Sequence, residues 1–158
     1  MGGVERDMLT PPTVAVIGGG QLARMMQESA IELGINLRVL VEAEDGSTGL
    51  VTVDKAVGAP KDLDAVRALI DGADVLTFEH EHIPAQTMEE AARVVSVQPP
   101  APALLYAQDK LQMRARLSEM GIPCPAWARV DNAAELERIG AVIGWPLIVK
   151  TPRGGYDG

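Results

Sequence analysis

The run Thr13-Val-Ala-Val-Ile17 is followed at once by Gly18-Gly19-Gly20 and then by a helical pattern reaching Leu33. A short β-branched run, a tight glycine turn and a helix in direct succession leave the chain few options. Strand-to-helix units of this kind return to a parallel strand by a crossover, which places helices against the faces of a sheet.

The first hundred residues continue that alternation. Gly34 is placed to stop the first helix, and Asn36–Val41 reads as a second strand ending at Glu42. Val51–Val57 reads as a third, weaker strand, and a helix from Asp62 or Leu63 to Ile70 ends at Gly72. Asp74–Phe78 is a further strand, 85–92 a helix, and Val94–Val97 one more strand. The expectation is an α/β protein: a doubly wound parallel sheet, Rossmann-like, with both faces covered.

Pro99-Pro100-Ala101-Pro102 then punctuates the chain. It divides a first domain, 13–100, from a second unit, 101–158, while Met1–Pro12 reads as a polar, disordered leader. In the second unit Asp109–Met120 is helical, Ala126–Val130 is a short strand, Ala133–Ile143 a helix and Pro146–Lys150 a final strand. That strand runs into a loop containing Gly154, Gly155 and Gly158. Such a loop needs a strand to return to, so the second unit is expected to be cut within it.

Composition narrows the partners. A net charge of −8 leaves no basic surface for displacing counterions from a nucleic acid, although small anions need only a few local cations. Aromatic residues are only 3% of the chain, so aliphatic and Met side chains must fill the core. Cys124, between Pro123 and Pro125, has no second cysteine to pair with, which fits a reducing compartment and a structural thiol. No run approaches a membrane span, and the expected location is cytoplasmic.

Four constellations carry chemistry. Gly18-Gly19-Gly20-Gln21-Leu22-Ala23 fits G-x-G-x-x-A between a strand and a helix, where free N–H groups and the helix dipole favour an anion. Glu42 lies nineteen positions after Ala23, near the spacing of a ribose-binding acid, so these residues alone point to a stand-alone NAD-binding or regulatory module. Phe78-Glu79-His80-Glu81-His82 follows a parallel strand, on the face where ligands bind. It admits a metal site, a solvated charged loop, or substrate-facing carboxylates at Glu79 and Glu81. Asp109 is suited to cap a helix, but Lys110 in the first turn opposes the helix dipole and needs another reason, such as a nearby anion. Lys150, closing an apolar run just before the glycines, has the order of a nucleotide phosphate site.

Together these segments resemble the N5-carboxyaminoimidazole ribonucleotide synthetases of the ATP-grasp superfamily, from Thr13 to the last residue. The resemblance implies an ATP-dependent carbon–nitrogen ligase of purine biosynthesis that joins bicarbonate to aminoimidazole ribonucleotide. It implies that Gly20, Gln21 and Leu22 hold the ribonucleotide's phosphate side, with Glu79, more weakly Glu81, and Tyr156 and Asp157 lining the same cleft. Lys110 and Lys150 match the cationic positions on ATP phosphates, and Gly155, Tyr156, Asp157 and Gly158 match a mobile phosphate-covering loop. Mg2+ is implied with the ATP, its ligands lying beyond residue 158, and a homodimer is expected. Ala23 departs from the glycine many relatives carry there. A formate-using purine transformylase is the nearest rival within the superfamily.

Overall fold

The computed structural model describes residues 10–154; the expectations for most of the leader and for Gly155, Tyr156, Asp157 and Gly158 lie outside them. The chain divides into two compact units, one ending at Ala101 and the other beginning at Pro102.

In the first unit, β1 (Thr13–Ile17) leads through the glycine turn to α1 (Gln21–Leu33), and the chain returns as β2 (Asn36–Val41). β3 (Lys55–Val57), α2 (Leu63–Ile70), β4 (Val75–Phe78), α3 (Ala85–Ala91) and β5 (Ser96–Val97) follow. All strand pairs are parallel and the order is β3-β2-β1-β4-β5. The first three strands step outward in one direction from β1 and the last two in the other. The order therefore reverses between β1 and β4, the switch point at which doubly wound sheets form a crevice at their carboxyl ends.

The alternation of side chains explains why the central strands are apolar on both faces. Val14 and Val16 of β1, with Leu37, Val39 and Val41 of β2, pack with Ala23, Met26 and Ala30 of α1. On the other face Leu40 approaches Gly58, beside Ala65 of α2. Ala15, Val16, Ile17 and Val39 are wholly excluded from solvent, as period-2 strands covered on both sides require.

Local chemistry sets the helix ends. Gly34 closes α1 with φ 65°, and the Ile35 N–H returns to the Ala30 carbonyl at 2.9 Å. Asp62 caps α2, its carboxylate accepting from Asp64 and Ala65 N–H. Arg38 on β2 then ties the far end of α2 to the sheet. Its guanidinium donates to the Leu69 and Asp71 carbonyls at 3.1 and 2.6 Å, with Nε on Asp54 at 2.8 Å. A cation at the carbonyl end of a helix is favoured by the dipole as well as by the hydrogen bonds.

Several expected bounds shift. The third strand begins at Lys55 rather than Val51, because Val51 and Thr52 direct their N–H groups to the Thr48 carbonyl and close a turn. The strand expected over Val94–Val97 is confined to Ser96–Val97, since Val94 and Val95 N–H bond back to Ala91 at the end of α3.

The second unit contains α4 (Ala101–Gln108), whose first residue closes the first unit, then α5 (Lys110–Glu119) and α6 (Ala133–Ile143). α4 went unanticipated because its prolines read as punctuation, yet proline is tolerated in the first helical turn, where N–H groups have no partner. Asp109 caps α5 and Asn132 caps α6, while Glu135 reaches back to the Asp131 N–H at 2.9 Å. The strands expected at Ala126–Val130 and Pro146–Lys150 do not form. Among the described residues neither segment finds a neighbouring strand, and Ile148 and Val149 are exposed. An apolar run is a strand only when a partner satisfies its backbone groups.

Candidate functional site

The pairing of Ile17 with Phe78 places the residues that follow them, Gly18 and Glu79, side by side at the switch point. From there the Glu79 side chain reaches the start of α1. Its Oε1 accepts the Gly20 N–H at 2.6 Å and its Oε2 the Ala23 N–H at 2.7 Å. Gly20 is the N-cap and cannot cap its own helix with a side chain. A single carboxylate 59 residues away therefore does the work of both halves of a capping box, and its charge sits where the helix dipole favours an anion.

This contact explains the glycines. A Cβ on Gly18 would run into the Glu79 side chain, within 2.6 Å of Oε1, and the φ of 125° there is itself one that L residues avoid. A Cβ on Gly19 would meet Val41 Cγ1 at 2.7 Å. The close approach that the sequence pattern offers to a pyrophosphate is used by the protein's own carboxylate.

The dinucleotide reading fails on that geometry. A phosphate on the Gly20 and Ala23 N–H groups would have to displace Glu79 and would meet its charge. Glu42 follows β2 and is exposed, and the segment after it folds back over the turn rather than leaving a ribose seat open. Thr48 N–H donates to the Gly19 carbonyl at 3.1 Å and Thr48 Oγ1 to the Gly20 carbonyl at 2.6 Å. Arg24 donates to the Ser47 carbonyl at 2.9 Å, and Ser47 Oγ donates to Gln21 Oε1 at 3.2 Å.

Of the expected residues in this unit, Gly20, Gln21, Leu22 and Glu79 are thus brought to one place, with Gln21 and Leu22 exposed. Glu81 instead pairs with His82 at 3.5 Å, and the His82 N–H donates to His80 Nδ1 at 3.1 Å. Among the described residues no group of three His, Cys, Asp or Glu side chains is arranged to hold a metal ion. Thr48 and Ser47 were missed by sequence reasoning. The only hint is the turn-forming run Asp45-Gly46-Ser47-Thr48, which marks a loop without saying what it touches.

In the second unit the start of α5 holds the segment leading to the last glycines. Lys110 N–H donates to the Pro152 carbonyl at 2.9 Å and Lys110 Nζ to the Gly154 carbonyl at 2.6 Å. Asp109, besides capping α5, accepts from Arg153 Nε at 3.3 Å. The Gln112 N–H, with smaller help from Arg153 and the Leu111 N–H and against some desolvation, holds the Asp109 carboxyl below its ordinary value. The unfavourable lysine in the first turn therefore has a partner, the loop's own carbonyls. Lys150 is exposed.

A five-stranded parallel sheet in this order, with a carboxylate seated on the glycine turn at its switch point, defines a Rossmann-like α/β domain. The chain belongs to the ribonucleotide synthetase pre-ATP-grasp domain family, which matches residues 12–108. It is similar, at 47% identity over 93% of its length, to the N5-carboxyaminoimidazole ribonucleotide synthase of Mycobacterium tuberculosis, of which it covers 34%. A crystal structure of an N5-carboxyaminoimidazole ribonucleotide synthetase as its ADP complex superposes with a TM-score of 0.86 at 29% identity, over 98% of this chain and 41% of that one. The Aspergillus clavatus synthase in complex with ADP and 5-aminoimidazole ribonucleotide superposes with a TM-score of 0.78 at 35% identity, over 88% of this chain and 38% of that one. The chain thus spans about a third of the length of the curated relatives it matches.

Proposed function

We propose that the chain is the amino-terminal part of an N5-carboxyaminoimidazole ribonucleotide synthetase, an ATP- and bicarbonate-dependent ligase. The observation that carries this reading is the Glu79 carboxylate seated on the glycine turn at the β1/β4 crevice. It occupies the Gly20 and Ala23 N–H groups and presents a carboxylate acceptor at the turn. Each carboxylate oxygen retains lone-pair capacity beyond the single N–H it accepts, so Glu79 can also receive an N–H of an amine substrate. The likeness to synthases named for this reaction, one of them holding ADP and the aminoimidazole ribonucleotide, supports the same substrate class.

In the proposed reaction a bicarbonate oxygen attacks the γ-phosphorus of ATP, ADP leaves, and carboxyphosphate forms. The 5-amino nitrogen then bonds to its carbon, phosphate departs, and the amine loses a proton. Catalysis of this kind is mostly positioning and charge neutralisation. The first unit positions the ribonucleotide, with Gly20, Gln21 and Leu22 at its phosphate side and Glu79 lining the same cleft toward the amine. We take 101–158 as the beginning of the ATP-grasp domain, with Lys110 and Lys150 toward the ATP phosphates and 155–158 starting the loop that covers them. Mg2+ supplies charge neutralisation to ATP in such reactions. Among the described residues no group of three His, Cys, Asp or Glu side chains is arranged to hold it, and its ligands are expected beyond residue 158. No described helix is long and apolar enough to cross a membrane, and a cytoplasmic homodimer without a nucleic-acid partner is part of the same proposal.

The test is ADP release by the full-length protein with bicarbonate and Mg-ATP, with and without aminoimidazole ribonucleotide. Strong dependence on the ribonucleotide is expected. Cleavage stimulated only by another acceptor, such as formate with a different ribonucleotide, would remove the carboxylating assignment.

A further inference from the structure

Thr48 is one of few polar residues wholly buried in the described structure, and no motif accounts for it. It lies in a loop held by hydrogen bonds of its own. The Leu50 N–H bonds to the Gly46 carbonyl, the Val51 and Thr52 N–H groups to the Thr48 carbonyl, and Lys55 Nζ to the Gly49 carbonyl at 2.6 Å. The loop is fastened to α1 at successive turns, through Ser47 on Gln21, Arg24 on the Ser47 carbonyl, and Thr52 Oγ1 on Gln27 Oε1 at 3.1 Å.

We propose that Thr48 is a positioning residue for ribonucleotide binding, acting through Gly20 and, with Ser47, through Gln21. The Gly20 N–H is held by Glu79 and its carbonyl by Thr48, so the turn is gripped from the β4 side and from the loop after β2. Neither grip alone sets both ends of the residue from which Gln21 and Leu22 project. Ser47 adds orientation. By donating to Gln21 Oε1 it leaves the Gln21 amide nitrogen as a donor to an oxygen acceptor of the ligand, a phosphate or ribose hydroxyl. Thr48 touches no reacting atom in this arrangement; its effect passes through the backbone it holds.

This inference rests on the proposed carboxylating function, and kinetics of full-length Thr48→Val, Thr48→Ser and Ser47→Ala test it separately. Thr48→Val keeps the volume and removes the hydroxyl. Loss of one buried hydrogen bond predicts a rise in KM for the ribonucleotide of roughly 5–10-fold, with kcat and the KM for ATP little changed. Thr48→Ser, which keeps the hydroxyl, restores most of that loss. A methyl-packing role predicts the reverse order, with Ser worse than Val, and would overturn the proposal. So would an unchanged ribonucleotide KM in folded Thr48→Val. If Thr48→Val does not fold, Ser47→Ala, at a half-buried residue, carries the test, with a smaller rise in the same KM expected and no rise refuting it. A wild type that ignores the ribonucleotide altogether would refute the function itself, which is a different result from a responsive wild type with indifferent variants.

Discussion

Glu79 and Thr48 hold opposite ends of one residue: the Glu79 carboxylate accepts the Gly20 N–H at 2.6 Å, and the Thr48 hydroxyl donates to the Gly20 carbonyl at 2.6 Å. The two side chains arrive from loops after different strands, β4 and β2, and meet at the end of a third, β1. The turn is thus a joint between three parallel strands, and its shape depends on all of them.

Removing the carboxylate exposes that dependence. Glu79→Ala leaves the Gly20 and Ala23 N–H groups without their acceptor and is expected to destabilise the first unit by about 2 kcal/mol, from the usual worth of a cap and of a charged hydrogen bond. Urea denaturation measures it. Glu79→Gln offers one carbonyl oxygen in place of a symmetric acceptor and should fall between wild type and Ala. Equal stability of Ala and wild type would show that the cap contributes nothing.

The glycine turn should resist even a methyl group. Gly18→Ala combines a positive-φ backbone with a collision on Glu79, and a loss of roughly 2–4 kcal/mol is expected. At Gly34, with φ 65° and open space around it, Ala meets only the backbone penalty, about 1 kcal/mol. The difference between the two midpoints isolates the steric part, and identical losses would mean that Glu79 moves aside freely.

In the second unit the tight contact is between Gly140 on α6 and Trp145. An added Cβ would lie 2.7 Å from the indole nitrogen and closer still to ring carbons. Trp145 is partly exposed, so Gly140→Ala should push the ring into water rather than break the helix, which gains about 1 kcal/mol of propensity. Tryptophan emission should shift to longer wavelength while the thermal midpoint changes little. With Trp127 and Trp145 the only tryptophans, the shift is readable in this chain. Unchanged emission would contradict the contact.

Asp109 gives a pH prediction. Its folded carboxyl is held below the ordinary value near 4, chiefly by the Gln112 N–H. A depressed folded pKa contributes stability that is complete above the unfolded value and lost as pH falls through the folded one. The α5 start, with its ties to 152–154, should therefore loosen only in acid, below about pH 4. Asp109→Asn keeps a capping oxygen and should flatten that acid dependence, read by amide exchange at Leu111 and Gln112. An acid limb identical in Asn and wild type would place the titrating group elsewhere.

Periodicity and punctuation located most of the first unit because those signals are local. The β-branched run at β1, Gly34 behind α1, and Asp62 ahead of α2 each act within a turn or two of themselves, so their residues alone place the elements. The same locality misled at Pro146–Lys150, where an apolar run finds no strand to pair with among the described residues, and at α4, where prolines hid a helix start. The function-bearing turn shows the limit most clearly. A row of glycines before a helix says that N–H groups are available to an anion, and any anion satisfies that description. Which anion arrives depends on the register that sets Ile17 beside Phe78, and so brings in Glu79 from 59 residues away. The local pattern made a phosphate and a carboxylate equally acceptable; only the folded sheet, by carrying the carboxylate there first, chose between them.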